Sequence, residues 1–301
     1  MSAPVAAAPG VVAGYARLRA GEPTVVRGGA HLIWVEGPDA ATFLQGLLSA
    51  DVAGLAPGQA RPSLILDAKG HVQAQMRVHR DAADAFTIVV DPALSGLLMV
   101  LLARYHFSED LELLGPEAAE TVTIAGTGSD LGDLAQLVAP GPVPGTLEAV
   151  VDSAAAAVAA LGVEEAPAEA LEMARIAAGV PRVGIDTGPA TLVQEAALED
   201  VAVSFDKGCY LGQETVARLK YRGRANRRLR GLALASPPPV TGAVVTSGGR
   251  EVGRLTSVAL TPDLGAIGLA VLRHEVAPGA DVGVEGASGT ARVVELPFPG
   301  R

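Results

Sequence analysis

The sequence predicts an α+β fold that ends in a small antiparallel β-barrel or sandwich. Two observations carry this. Between residues 24 and 102, strand-like segments form a meander bracketed by two amphipathic helical patterns. After Pro237-Pro238-Pro239, four short β-like segments recur at regular spacing with glycine-rich turns.

Residues 24–35 alternate loosely and end in Leu32-Ile33-Trp34-Val35, which predicts a strand. Gly37-Pro38-Asp39 then opens a helix, with Ala40, Phe43, Leu44, Leu47 and Leu48 on one apolar face. Gly54, Pro57 and Gly58 mark a loop. A short strand over 63–66 turns at Asp67-Ala68-Lys69-Gly70 into another over 71–79. Val72, Ala74, Met76 and Val78 share one face of it; His71, Gln73, Gln75, Arg77 and His79 share the other. Residues 86–90 make a third strand, and Leu94, Leu97, Leu98, Leu101 and Leu102 predict a second amphipathic helix. Further on, 121–125 predicts a strand, and 152–161 and 168–178 predict helices. The cluster Ala139-Pro140-Gly141-Pro142-Val143-Pro144-Gly145 between them predicts a linker. The terminal strands are expected at 243–246, 252–257, 266–272 and 291–296.

Composition bounds the function. The chain has 301 residues, 49% of them hydrophobic and only 3% aromatic, so its core is aliphatic and large enough for two or three units. Disorder is expected only in the first dozen residues and the last few. No apolar run approaches the roughly 18–20 residues that span a bilayer. The first cation is Arg17, so the N-terminus lacks the basic region of a secretory signal. With a single cysteine, this points to the cytoplasm. The five histidines show no metal spacing, and no metal site is expected; His71 and His79, eight apart on one strand, stand about 26 Å apart when extended. Gly126-Thr127-Gly128-Ser129-Asp130-Leu131-Gly132 follows a strand, but its third glycine comes one place late for a dinucleotide loop and predicts a turn.

A net charge of −10 argues against general nucleic-acid binding. The charge is segregated, however. Residues 215–231 hold Arg218, Lys220, Arg222, Arg224, Arg227, Arg228 and Arg230 and no acid, so the rest of the chain carries −17. Such a run is a solvated face, a seat for an anionic ligand, or a contact for a phosphate-bearing partner.

The run follows the most unusual octapeptide of the chain, Lys207-Gly208-Cys209-Tyr210-Leu211-Gly212-Gln213-Glu214. Cys209 is the only cysteine, so any chemistry it performs is that of one thiol. Lys207 is one of three lysines, and a helix is predicted from Gly212 with Glu214 in its first turn. A thiol beside a cation and ahead of a helix N-terminus is expected to have a lowered pKa. The alternative is a buried structural cysteine.

The octapeptide resembles the K-G-C-Y-x-G-Q-E signature of the YgfZ-type folate-binding proteins, relatives of the glycine-cleavage T-protein (aminomethyltransferase). All seven specified positions match. Val216-Ala217-Arg218, Tyr221-Arg222-Gly223 and Arg227-Arg228-Leu229 continue the match. Upstream, Arg175, Gly179 and Pro181, then Gly184-Ile185-Asp186, resemble the family's R-x-x-x-G-x-P segment. Leu66-Asp67-Ala68-Lys69-Gly70 resembles its L-D-x-K-G turn, and Phe43-Leu44-Gln45-Gly46 its first helix.

The resemblance implies a T-protein-like α+β fold of several units around a central folate site, closed by an antiparallel barrel. Residues 1–230 would form the folate-binding region and 231–301 the barrel. It implies tetrahydrofolate or a one-carbon derivative as cofactor. It also implies a role in the synthesis or repair of iron–sulfur cluster enzymes, with iron–sulfur client proteins as partners and effects on tRNA-modifying proteins that use clusters. No direct nucleic-acid or membrane contact is expected. Cys209 would act as thiolate, on a one-carbon unit or by transiently holding iron or sulfur, with Lys207 lowering its pKa. Gly208 and Gly212 would shape the loop. Tyr210, Gln213 and Glu214 would fix it or face the ligand, and Arg218 and Arg222 would take the folate glutamate tail.

Two departures separate this chain from the transferase. The T-protein's acidic pair aligns with Gln73 and Ala74, and its pterin-binding acid with Ala177. Folate binding survives this; glycine-cleavage transfer does not. Two other readings remain: a tetrahydrofolate-dependent aminomethyltransferase, and a non-catalytic adaptor that docks on iron–sulfur proteins through the basic run.

Overall fold

The computed structural model describes residues 8–126, 132–235 and 238–299, so most of the 126–132 turn and Pro237 of the proline run lie outside the described residues. The described residues open with helix α1 (Pro9–Ala20), which corrects the expectation of disorder over residues 9–12; residues 1–7 of that expectation lie outside the described residues. Proline suits a first turn, where its missing N–H has no intrahelical partner to lose. Val11, Tyr15 and Leu18 fall at i, i+4 and i+7 and are buried.

Strand β1 (Thr24–Glu36), helix α2 (Ala40–Leu47), and strands β2 (Ala60–Leu66), β3 (Val72–Arg80) and β4 (Ala85–Val90) follow as the alternation predicted. Helix α3 (Pro92–Tyr105) leads into β5 (Glu112–Ala125). Strands β6 (Ala135–Pro140) and β7 (Thr146–Val151) form a hairpin. The expected linker at 139–145 is therefore its turn, closed by the Gly141 N–H donating to the Thr146 carbonyl at 2.9 Å. Helix α4 (Ala154–Leu161), strand β8 (Glu164–Glu165) and helices α5 (Ala168–Ala178), α6 (Glu199–Ala202) and α7 (Gln213–Arg222) complete the body.

The body is one sheet in the order β2-β3-β4-β1-β5-β7-β6, with β8 parallel to the start of β1. Helices α2 and α3 cover one face, where Ile33, Val35, Phe43, Leu44, Ala74, Ile88, Leu98 and Leu102 form a continuous core. Leu97 departs from the predicted helix face and is 44% exposed. His79 departs in the other direction. It is 3% exposed, and burial, with Arg77 nearby, holds its imidazole down at about 4.

The rest of the chain is a closed antiparallel barrel, in the order β10-β11-β12-β9-β14-β13. Its strands are β9 (Arg227–Ala233), β10 (Val244–Ser247), β11 (Arg250–Thr261), β12 (Gly265–Arg273), β13 (Asp281–Val284) and β14 (Thr290–Val294). Strand β9 was not predicted. Its Arg-Arg-Leu-Arg opening reads as a charged surface, yet Leu229 and Leu232 are buried. It crosses the expected boundary at residue 230 and pairs with β12 along its whole length.

A buried polar hub joins barrel to body. Arg175 on α5 donates to Glu172 (2.8 and 2.6 Å), Asp186 (2.8 Å), Ser257 (2.9 Å) and the Val180 carbonyl. Ser257 on β11 and the Arg182 N–H both donate to Asp186 in turn. Burial opposes the guanidinium charge, but Glu172 and Asp186 outweigh it and hold the Arg175 pKa above its ordinary value. The R-x-x-x-G-x-P segment and its following aspartate are thus the body's half of an inter-unit clasp, with Thr256 and Ser257 of β11 as the barrel's half.

Candidate functional site

The octapeptide is a turn clamped from three sides. The Lys207 ammonium donates to the carbonyls of Gln45 (2.7 Å), Leu48 (2.7 Å) and Ala50 (2.9 Å), where α2 ends. A cation suits the carbonyl end of a helix. The Leu211 N–H donates to the Gly46 carbonyl at 3.1 Å. Tyr210 is buried against Leu64, Leu66, Val72 and Val216, and burial pushes its phenol up to about 12.

On the third side the two glycine motifs meet. Gly212 has φ +80, and a Cβ there would stand 2.5 Å from the Asp67 carbonyl oxygen. Gly70, φ +84, is equally close to α7, with Thr215 Cβ 3.0 Å from where its own Cβ would lie. Only glycine combines a left-handed backbone with this approach. The Asp67 carboxylate accepts from the Lys69 and His71 N–H groups (2.8 and 2.9 Å) and holds the turn's shape. Against a burial cost, those bonds set its pKa below the usual carboxylate value.

This clamp leaves Cys209 exposed, with exposed Gly208 before it. The expectation of a buried structural thiol is therefore corrected. Lys207 turns away to the end of α2 and the residues after it: its three hydrogen bonds go to carbonyls of residues 45–50, and burial pulls its pKa down to about 8 against the favourable Asp51 carboxylate. Lys207→Gln is expected to cost about 1–3 kcal/mol in urea unfolding, because it strands buried carbonyls. The alkylation rate of Cys209 should change less than about twofold; a several-fold slowing would restore Lys207 as the thiol's activating cation.

The large cavity lies elsewhere. About 760 Å³ opens between the uncovered sheet face and α5, over Gly28, Gly29 and Ala30 of β1. Its polar wall includes Gln75 and Arg77 of β3, Glu148 of β7, Glu169 and Glu172 of α5, and the Asp91–Arg182 pair (2.6 Å). Arg77 is paired with Glu148. None of Lys207, Gly208, Cys209, Tyr210, Gly212, Gln213, Glu214, Arg218 or Arg222 lines it. Arg218 and Arg222 point from α7 into solvent. A cleft of about 360 Å³, walled by Arg61 and residues 199–206, shares Pro62 and Val201 with the cavity and ends where the octapeptide begins.

The family's acid positions are silent in this chain. Ala74 is fully buried in the core under α2, and Ala177 is fully buried beside Phe298. A carboxylate at either place would have no water and no partner. The cavity wall was missed in the sequence because β1, β3, β7 and α5 each lend it one or two residues. The alternation on β3, with Gln75 and Arg77 facing away from the core, was the available signal.

Residues 227–299 match the family model of the glycine cleavage T-protein C-terminal barrel domain. The tRNA-modifying protein YgfZ of Edwardsiella ictaluri is 33% identical over 232 residues, 67% of this chain and 69% of that one. The chain belongs to the YgfZ family. Its likeness extends to the mitochondrial iron–sulfur cluster assembly factor IBA57 of Mus musculus, 26% identical over 83% of this chain and 77% of that one. The aminomethyltransferase T of the Bartonella henselae glycine cleavage system has the same fold, at TM-score 0.79 and 23% identity over 96% of this chain and 89% of that one. Within the YgfZ family fold, the octapeptide loop and the central cavity are separate places, with the cleft lying between them.

Proposed function

We propose that the protein acts in the synthesis or repair of iron–sulfur cluster enzymes, with Cys209 as its working group. The observation that carries this reading is a sole thiol held at the surface by a loop clamped on α2 and on the Asp67 turn. A clamp of that cost serves presentation, since an inert thiol needs none. One thiolate per chain is fewer than the four that hold a standalone cluster, so Cys209 acts as a single ligand or acceptor whose partner supplies the rest. The mouse relative, an iron–sulfur cluster assembly factor by name, supports the assignment.

Tetrahydrofolate belongs, on this reading, in the central cavity rather than at the loop. The cavity's volume suits a ligand of that size. Gln75 and Glu169 line it, and among the described residues neither is engaged by a hydrogen bond or ion pair. They have the donors and acceptors an amino-pyrimidine edge requires. Arg182, at the rim, replaces Arg218 and Arg222 as the group for the glutamate tail. When bound, the folate supplies a one-carbon carrier.

The test is complementation of a bacterium lacking its own YgfZ-family protein, read as iron–sulfur enzyme activity. The wild-type chain should restore it and Cys209→Ser should not. Full restoration by Cys209→Ser would overturn the thiol's role. Calorimetry with tetrahydrofolate under reducing conditions tests the cavity: binding should weaken about tenfold in Gln75→Leu, the loss of one good hydrogen-bonded contact, and stay unchanged in Cys209→Ser.

A further inference from the structure

We infer that the face formed by α7 and the start of β9 docks an acidic surface of the protein that Cys209 serves. The inference rests on the proposed role of the thiol. Arg218, Arg222, Arg224 and Arg227 are all exposed, and among the described residues none has a hydrogen bond or ion pair, in a chain with 33 acids. Of the other cations of the run, Lys220 pairs with Asp200 (3.3 Å) and Arg230 with Glu295 (3.1 Å), while Arg228, also exposed, is drawn to Glu199 only at longer range. The four free cations are placed against repulsion. Arg218 and Arg222 stand one helical turn apart, a spacing at which like charges destabilise a helix. Arg227 lies directly opposite Arg273 across the β9–β12 ladder, where like charges also repel. The helix dipole accounts for Arg222 in the last turn of α7, but for none of the other three.

Tyr221 sits among them at 68% exposure, edge-on to Phe205 at 6.2 Å, an aromatic anchor of the kind interfaces use. Cys209 stands just ahead of α7, whose full length is only about 15 Å. The face therefore begins within about one helix length of the thiol. Its occupant is a compact acidic protein surface rather than a nucleic acid. The rest of the chain carries −17, which repels a polyanion long enough to overrun the patch, while a compact face or a short acidic peptide meets the patch alone.

The test uses the full chain carrying Cys209→Ser, so that it is blind to thiol chemistry. Fluorescence anisotropy is measured with a labelled oligoglutamate, a Gly-Ser peptide of equal length, and an oligouridylate of equal charge. The oligoglutamate should bind, weaken as salt rises, and lose about tenfold in affinity in Arg218→Glu/Arg222→Glu. The control Arg104→Glu/Arg250→Glu, with the same net charge, should lose less than about twofold. Equal losses in the two variants, or no binding at low salt, would overturn the proposal. Tighter binding of the oligouridylate would overturn it in favour of a nucleic-acid partner. Any of these would leave the complementation result for Cys209 standing, and failure of that result would leave the docking face standing.

Discussion

Asp186→Ala should lose about 3–5 kcal/mol of unfolding free energy, the usual cost of removing one partner from a buried ion pair. The Asp186 side chain is fully buried and that of Arg175 is 5% exposed, so the guanidinium left behind has little access to water. Glu172 remains as a partner, but it is 29% exposed and faces one edge only. Ser257 and Thr256, which both donate to Asp186, lose their acceptor at the same time. Urea unfolding followed by Trp34 fluorescence checks the size of the loss. The double variant Arg175→Leu/Asp186→Leu should be less destabilised than the sum of the single changes, because it leaves no unpaired charge. Strict additivity would mean that the two groups stabilise the fold independently.

Gly212→Val should be the most damaging change within the octapeptide. The left-handed backbone alone costs about 1–3 kcal/mol for a side chain with a Cβ, and more for a branched one. The close approach adds to it: the new Cβ would sit 2.5 Å from the Asp67 carbonyl and 3.1 Å from Leu66 Cβ, so the two turns must part. Gly208→Ala is the matched control. Nothing lies within 4 Å of its would-be Cβ, and a change within about 0.5 kcal/mol is expected there. In the complementation assay Gly212→Val should fail and Gly208→Ala should succeed. Equal behaviour of the two variants would show that the loop's clamp has no part in function.

Much of this structure was legible in the sequence where one period dominates. The alternation on β3 and the i, i+3, i+4 face of α2 fixed which side chains entered the core, and Ala74, Met76, Val78, Phe43 and Leu44 are there. Helix α1 was overlooked because alanine, glycine and arginine dilute its three large buried side chains, Val11, Tyr15 and Leu18, although their spacing is helical. Strand β9 hid behind its arginines, and β13 is only four residues long with a glycine among them. The octapeptide was recognisable, but the directions of its side chains were not. Lys207 turns to carbonyls that belong to residues 45–50, a contact across more than 150 positions that no local pattern announces. The cavity is the extreme case, since its wall is assembled from many strands and has no motif at all.

Tyr15 on α1 donates a hydrogen bond to Asp263, beside the β11–β12 turn, at 2.8 Å across 248 positions. Arg19 reaches the same carboxylate at 3.4 Å. The first helix therefore finds its polar anchor only when the last quarter of the chain exists. At about 5–20 residues per second, roughly 12–50 s of synthesis separate the two partners as they leave the ribosome. Throughout that interval Val11, Tyr15 and Leu18 have no barrel to meet, and α1, made long before the barrel, is completed only with it.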